Sequence, residues 1–282
     1  MVSSITILGA GTMGQGIAQV AALAGFNVTI YDLNEEILTS ALAKIETTLK
    51  KGEEIGKISS EQTSKAKSNL SISANLSSLK ADLFIEAVVE DINVKHDLFK
   101  VLEKSNPHAI MATNTSSIPI TQIAAVLTNP SQMVGMHFFN PAHIMKLVEI
   151  VKGERTENDI VDQLVDIAKK MGKVPVLVND SPGFIVNRVA RHYYVESLKI
   201  LEENISSVED VDLLLESTGF KLGPFRLMDL IGVDTNYAVT QTMFNQFHQE
   251  GKFRPSRIQQ QYVEAGYIGK KSGRGFYTYD SH

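Results

Sequence analysis

Ile5-Thr6-Ile7-Leu8-Gly9-Ala10-Gly11-Thr12-Met13-Gly14 is a short, mostly β-branched run that passes directly into glycines spaced GxGxxG. The segment 13–24 follows with Ile17, Val20, Ala21 and Ala24 at helical intervals. A lone GxGxxG is weak evidence, but between a strand and a helix each glycine has a task. Gly9 permits a tight turn, Gly11 lets the backbone approach a pyrophosphate, and Gly14 lets the helix pack closely on the strand. Gly9, Ala10, Gly11, Thr12, Met13 and Gly14 are therefore the candidate cofactor cradle. The next apolar run, Val28-Thr29-Ile30-Tyr31, ends on Asp32. A carboxylate there can bind both ribose hydroxyls of an adenosine and would repel a 2′-phosphate, so the expected cofactor is NAD rather than NADP.

Outward from this motif, short aliphatic runs at 5–8, 28–31, 83–89, 109–113, 133–137, 147–151 and 174–178 read as strands buried on both faces. Helix-like segments at 13–24, 35–51, 94–104 and 157–171 lie between many of them. The expectation is α/β: a Rossmann-type, mostly parallel sheet with helices on both faces. The pattern changes at Asn179-Asp180-Ser181-Pro182-Gly183, where Pro182 is placed to open a helix. Beyond it Val186, Val189, Ala190, Tyr193, Leu198 and Leu201 recur at helical spacing, and 208–216, 224–247 and 256–264 show no strand alternation. Two domains are expected, 1–182 for the nucleotide and an all-helical 183–282 for substrate and dimer contacts. The Gly- and Lys-rich stretch 269–276 reads as a surface loop.

The chain has 282 residues, 27 Lys+Arg against 32 Asp+Glu, and no cysteine. A disulfide scaffold, a thiolate metal centre and a cysteine nucleophile are excluded, and no metal site is expected. No apolar run approaches the ~18 residues of a membrane span, and the first residues show no leader pattern. These features predict a soluble, cytoplasmic protein without membrane contact. A net charge of −5 argues against nucleic acid as a partner. Any anionic ligand must be held by a local site.

Gly135-Met136-His137-Phe138-Phe139-Asn140-Pro141 puts a histidine at the end of an expected strand, where open α/β sheets bind ligands. Glu149 stands alone among apolar residues in Lys146-Leu147-Val148-Glu149-Ile150, and a buried glutamate needs a partner. On adjacent strands the two side chains would meet, with the carboxylate orienting the imidazole as a general base. Spacing alone leaves open a structural histidine and a rim glutamate. Asn114-Thr115-Ser116-Ser117 follows the run 109–113 and reads either as a site edge or as a helix cap. Asn187, read as one turn into the first helix of the second domain, either reaches a ligand or faces water.

GAGTMGQGIAQVAALAG, EAVVEDINVKHDLF, NTSSIPIT, GMHFFNPA, LVEIV, DSPGFIVNR, LGPFRLMDLIGVD and GKKSGRGFY, in order, resemble the bacterial L-3-hydroxyacyl-CoA dehydrogenases, including the 3-hydroxybutyryl- and 3-hydroxyadipyl-CoA enzymes. The resemblance spans nearly the whole chain. It implies an NAD-dependent oxidoreductase of fatty acid or butanoate metabolism that interconverts 3-hydroxyacyl-CoA and 3-ketoacyl-CoA, short-chain by expectation. The 3-hydroxyadipyl substrate of phenylacetate breakdown is the alternative, with Arg188, Arg191 or Arg226 to meet a terminal carboxylate. The resemblance also implies His137 as acid/base with Glu149, Ser116 and Asn187 at the substrate, and Asp32, Glu90, Lys95, Asn114, Ser116, Asn140 and Lys271 at the cofactor. CoA phosphates fall near Lys50, Lys51 and Lys57, where Gly52-Glu53-Glu54 is less basic than the family pattern. His192 stands where proline is expected. A homodimer is implied.

Two rivals remain: a phosphogluconate-type dehydrogenase using Lys95 or Lys146 as its acid/base, and a non-catalytic dinucleotide-binding scaffold.

Overall fold

The structure is a computed structural model that describes residues 2–279. The chain divides between Ser181 and Pro182 into two units. No helix among the described residues is long and apolar enough to cross a membrane.

The first unit runs β1 (Ser4–Leu8), α1 (Thr12–Leu23), β2 (Asn27–Tyr31), α2 (Glu35–Glu54), α3 (Ser60–Ser68), β3 (Leu70–Ser73), β4 (Leu83–Glu86), α4 (Ile92–Ser105), β5 (Ile110–Thr113), α5 (Ile120–Ala124), β6 (Met133–Phe138), β7 (Leu147–Lys152), α6 (Asn158–Lys170) and β8 (Val174–Asn179). One sheet holds them in the order β3-β2-β1-β4-β5-β6-β7-β8. The chain order reverses beside β1, which opens a crevice at the carboxyl ends of β1 and β4. Ile5, Ile7, Ile30, Leu83 and Ile85 fill the core with Ile17, Ala18 and Ala21 from α1. Asn34 caps α2 and Asp91 caps α4 through side-chain oxygens, whereas α1 starts at Gly11 with no side-chain cap.

The sheet is mostly parallel, as expected, and the strand outside the expectation is β3. Strand β7 runs antiparallel to β6, so the sheet is mostly but not wholly parallel. The link 139–146 holds no helix, and a parallel return needs a crossover of a dozen residues or more. Strand β3 is an edge strand whose apolar residues alternate with serine, too short and polar to read as buried.

The second unit is helical: α7 (Val186–Glu202), α8 (Val208–Ser217), α9 (Pro224–Ile231), α10 (Val233–Gln246) and α11 (Arg257–Glu264). Tyr194, Leu198, Val211, Phe225 and Met228 form its core. Pro182 does not open a helix: 182–185 is a turn and α7 begins at Val186, so Asn187 lies in the first turn itself. The segment 224–247, which shows no strand alternation, forms two helices separated at Gly232.

The stretch 269–276 is not a free surface loop. Buried Asp229 accepts from the backbone N–H of Phe276 and Tyr277 and from the Tyr279 hydroxyl, each at 2.9 Å. The Tyr277 hydroxyl reaches Asp212 at 2.9 Å. A Cβ at residue 275 would collide with the Asp229 carboxylate, so the glycine is what lets the tail close on it.

Candidate active site

Parallel pairing puts the carboxyl ends of β1, β4, β5 and β6 on one edge, with β6 three strands, about 14 Å, from β1. The glycine loop lies at the β1 end. Gly9 (φ +106°) donates its N–H to the Tyr31 carbonyl at 2.8 Å, and a Cβ there would stand 2.6 Å from the Ala87 carbonyl oxygen. A Cβ at residue 14 would collide with the Gly9 carbonyl, whereas Gly11 faces open space. Both outer glycines are thus forced by packing, and the middle one leaves room for a ligand. With no side chain capping α1, its first-turn amides, Thr12 and Met13 among them, are available to an anion.

Asp32 Oδ2 accepts from the Ala10 N–H at 3.0 Å, tying the carboxylate to the loop. A cleft of about 750 Å³ opens beside it, lined by Gly9, Gly11, Asp32 and an apolar wall of Leu33, Val89, Val94, Leu98 and Val101. Leu33 is 85% exposed and Val89 65%. Exposed apolar groups around one carboxylate suit an adenine ring held flat while its ribose meets Asp32. The residues present therefore fit a dinucleotide. Sequence reasoning missed this wall, although Leu33 between Asp32 and Asn34 was a signal: a large apolar residue in a polar turn.

Glu90 and Lys95, the two residues expected at the cofactor, are tied to each other and to Glu86. Lys95 is 1% exposed, with Nζ 2.7 Å from both carboxylate oxygens of Glu86 and 3.2 Å from Glu90. Its ammonium is shut inside the protein between two carboxylates. It is also unavailable as an acid/base. Glu90 Oε1 accepts from the Thr115 hydroxyl at 2.6 Å, from the N–H groups of Ser116 and Ser117 at 3.0 and 3.1 Å, and from the Ser117 hydroxyl at 3.1 Å. Burial pushes the Glu90 carboxyl up, but the Lys95 charge and these bonds outweigh it and hold the group below the ordinary glutamate value.

At the β6 end the antiparallel register sets His137 directly opposite Glu149. Nδ1 lies 2.7 Å from Glu149 Oε2, with both side chains buried. An ionised carboxylate only accepts, so Nδ1 carries the proton and Nε2 is the basic nitrogen. The ring packs on Phe139, centroids 4.6 Å apart. Asn114 Oδ1 accepts from the Phe138 N–H at 2.8 Å and so joins the ends of β5 and β6 next to the histidine. Asn140 is exposed at the start of the β6–β7 link, whose carbonyls at Ala142 and Met145 are held by Lys173 Nζ at 2.5 and 2.9 Å.

Lys50 and Lys51 are exposed at the end of α2, and Lys57 in the turn after it. Lys50 shares its cleft with Glu53, Glu54 and Lys67, a mixed surface. Lys57 stands in a more positive setting: burial first, then Lys173 and Lys57, lower the His143 pKa. In the second unit Asn187 is half-buried, and Lys271 Nζ pairs with Asp234 at 2.8 Å.

A family model described as "3-hydroxyacyl-CoA dehydrogenase, NAD binding domain" matches residues 4–181, and one described as "3-hydroxyacyl-CoA dehydrogenase, C-terminal domain" matches 183–279. A protein of Escherichia coli named "3-hydroxyadipyl-CoA dehydrogenase" is 46% identical over 281 residues, covering 99% of this chain. The match spans 59% of that protein's length. One of Bacillus subtilis named "Probable 3-hydroxybutyryl-CoA dehydrogenase" is 40% identical over 99% of this chain and 98% of its own. The crystal structure of (S)-3-hydroxybutyryl-CoA dehydrogenase from Ralstonia eutropha superposes with a TM-score of 0.96 at 34% identity, covering 100% of both chains.

Proposed function

Because the chain belongs to the 3-hydroxyacyl-CoA dehydrogenase family, we propose that it interconverts (S)-3-hydroxyacyl-CoA and 3-ketoacyl-CoA with NAD, acting on short acyl chains such as 3-hydroxybutyryl-CoA. The observation that carries this reading is the buried His137–Glu149 pair on the same sheet edge as the glycine loop. Bound NAD supplies the hydride acceptor. His137 Nε2 takes the proton of the C3 hydroxyl as the C3–H bond breaks, and returns it to the forming alkoxide in the reverse direction. Glu149 keeps Nδ1 protonated and stabilises the imidazolium. Ser116 and Asn187 hydrogen-bond the substrate oxygens in this reading, Asn140 and Lys271 serve the cofactor, and CoA phosphates fall to Lys57 ahead of Lys50 and Lys51. Cytoplasmic location, a homodimer and a place in fatty acid β-oxidation belong to the same proposal.

One observation favours a second substrate, a 3-hydroxyacyl-CoA with a terminal carboxylate. Arg191 is 3% exposed, and its Nη1 donates to the Asn236 carbonyl, Asn236 Oδ1 and Thr240 Oγ1 at 2.9, 3.3 and 2.8 Å. Its Nε has no partner, and no carboxylate among the described residues pairs with it. Burial pushes its pKa down to about 10, which leaves it charged at neutral pH. It stands four residues beyond Asn187, on the same helical face. Arg226 is already engaged by Asp212 and Glu216, at 3.7 and 3.4 Å.

Oxidation of NADH measured with acetoacetyl-CoA, longer 3-ketoacyl-CoAs and 3-oxoadipyl-CoA tests both. The highest kcat/KM on acetoacetyl-CoA supports the short-chain reading, the highest on 3-oxoadipyl-CoA supports the second, and no turnover with any of them overturns the proposal.

A further inference from the structure

Glu86 is completely buried at the end of β4, and no role in binding or chemistry follows from its position in the motifs. Every acceptor site on it is taken. Oε1 receives the Val88 N–H at 2.7 Å and Lys95 Nζ at 2.7 Å, and Oε2 receives Lys95 Nζ at 2.7 Å and the Thr113 hydroxyl at 2.6 Å. Thr113 is the register partner of Glu86 on β5 and in turn accepts from the Thr115 N–H at 3.2 Å. Two short routes therefore lead from one buried carboxylate into the segment 115–117. One is Thr113 to Thr115; the other is Lys95 to Glu90, whose carboxylate is seated on the donors of Thr115, Ser116 and Ser117.

The charges explain why all three ionised groups are needed together. Lys95 buried alone would be strongly disfavoured, and Glu86 buried alone likewise. Paired, they cancel and leave Lys95 one donor to spend on Glu90. That bond, with the donors of 115–117, fixes the rotamer of a carboxylate that is otherwise 37% exposed. On its other side Glu86 holds the Val88 N–H, and Ala87, Val88 and Val89 form a wall of the nucleotide cleft. One carboxylate thus braces both the cofactor wall and the serine segment.

Resting on the dehydrogenase reading, we propose that Glu86 is a positioning residue for the reaction, acting through the buried Lys95 and through Glu90 to set the Ser116 segment against the substrate. Lys95 is then a strut between the two carboxylates. Misplacing a positioned group by about 1 Å costs up to roughly 100-fold in rate, whereas loss of a remote strut need not alter cofactor affinity.

The test compares Glu86→Gln, Glu90→Gln and the double variant with the wild type. The measurements are kcat and KM for acetoacetyl-CoA, the NADH dissociation constant by fluorescence, and the primary deuterium isotope effect on kcat with 4-deuterated NADH. Each single variant is expected to lose roughly 10- to 100-fold in kcat and to show a larger isotope effect, because the hydride step becomes more limiting. NADH affinity of Glu86→Gln should stay within about threefold, less than 1 kcal/mol, because the amide oxygen still accepts the Val88 N–H of the cleft wall. The double variant should be no slower than the slower single, since the residues act in series. A drop in kcat with an unchanged isotope effect means only less folded enzyme and overturns the proposal, as do additive losses in the double variant. If Glu86→Gln does not fold, Glu90→Gln alone decides: normal kcat in it overturns the proposal. Absence of wild-type turnover overturns the dehydrogenase reading and this proposal together, whereas normal kcat in the variants overturns this proposal alone.

Discussion

On the proposed mechanism His137 uses Nδ1 for Glu149 and Nε2 for the substrate, and this division of labour makes the pair sensitive to small chemical changes. His137→Gln removes the acid/base of that mechanism, so turnover should fall by roughly 10²- to 10⁴-fold while NADH affinity is unchanged. Steady-state kinetics and fluorescence titration check the two halves. Glu149→Gln keeps the shape but replaces a pure acceptor with an amide that can also donate. The wrong tautomer and an unstabilised imidazolium should again cost roughly 10²- to 10⁴-fold. Near-normal turnover in either variant would remove the catalytic assignment. On the proposed role of Asp32, cofactor choice is made by charge: with its carboxylate held by the Ala10 N–H beside the apolar wall, NADH should be preferred over NADPH by roughly 100-fold in kcat/KM, about 2.7 kcal/mol. Equal efficiency with the two would refute that role.

At the level of elements, the strand–loop–helix unit β1–α1 works only if its backbone passes very close to itself. Gly14→Ala would drive a methyl group into the Gly9 carbonyl. The strain of such overpacking, about 1–3 kcal/mol, should appear as NADH binding weakened by about tenfold or more, with the helical unit unaffected. Titration calorimetry reads the affinity directly. The second unit has its own point of dependence in Asp229, which holds the tail to α9 through three bonds. Asp229→Ala leaves two backbone N–H groups and a tyrosine hydroxyl without their acceptor, and about 2–4 kcal/mol of stability should be lost in urea unfolding. A loop that merely lay on the surface would show almost no change.

For the molecule as a whole, a net charge of −5 would have to coexist with the two polyphosphate ligands of the proposed reaction, so anion binding would come from local donors such as the α1 amides and a few lysines. The second unit carries exposed Leu213, Leu214, Phe220, Leu230 and Ile231, and Leu213 and Leu214 are 64% and 65% exposed. Self-association should cover part of this surface, and sedimentation at micromolar concentration should give twice the 31.0 kDa chain mass. A single species at the chain mass would contradict the dimer.

The glycine-rich turn and most strands and helices of the first unit were legible in the sequence because each is written in a local period or spacing: glycine intervals, aliphatic runs, helical repeats; the short, polar α3 and β3 were not. His137 and Glu149 were visible as candidates but not as a pair. Their contact depends on β7 turning back antiparallel and on a register that no local pattern encodes. Lys95 matched a cofactor motif, yet its ammonium is enclosed by Glu86 and Glu90, one from the end of β4 and the other from the turn that follows it. Composition likewise assigned 269–276 to the surface, yet Asp229 holds the Phe276 N–H and Asp234 pairs with Lys271. The sequence by itself therefore determined most of the elements and the chemistry available to them. Tertiary structure alone decided which charges meet, because sheet order, register and burial bring together residues that are distant along the chain.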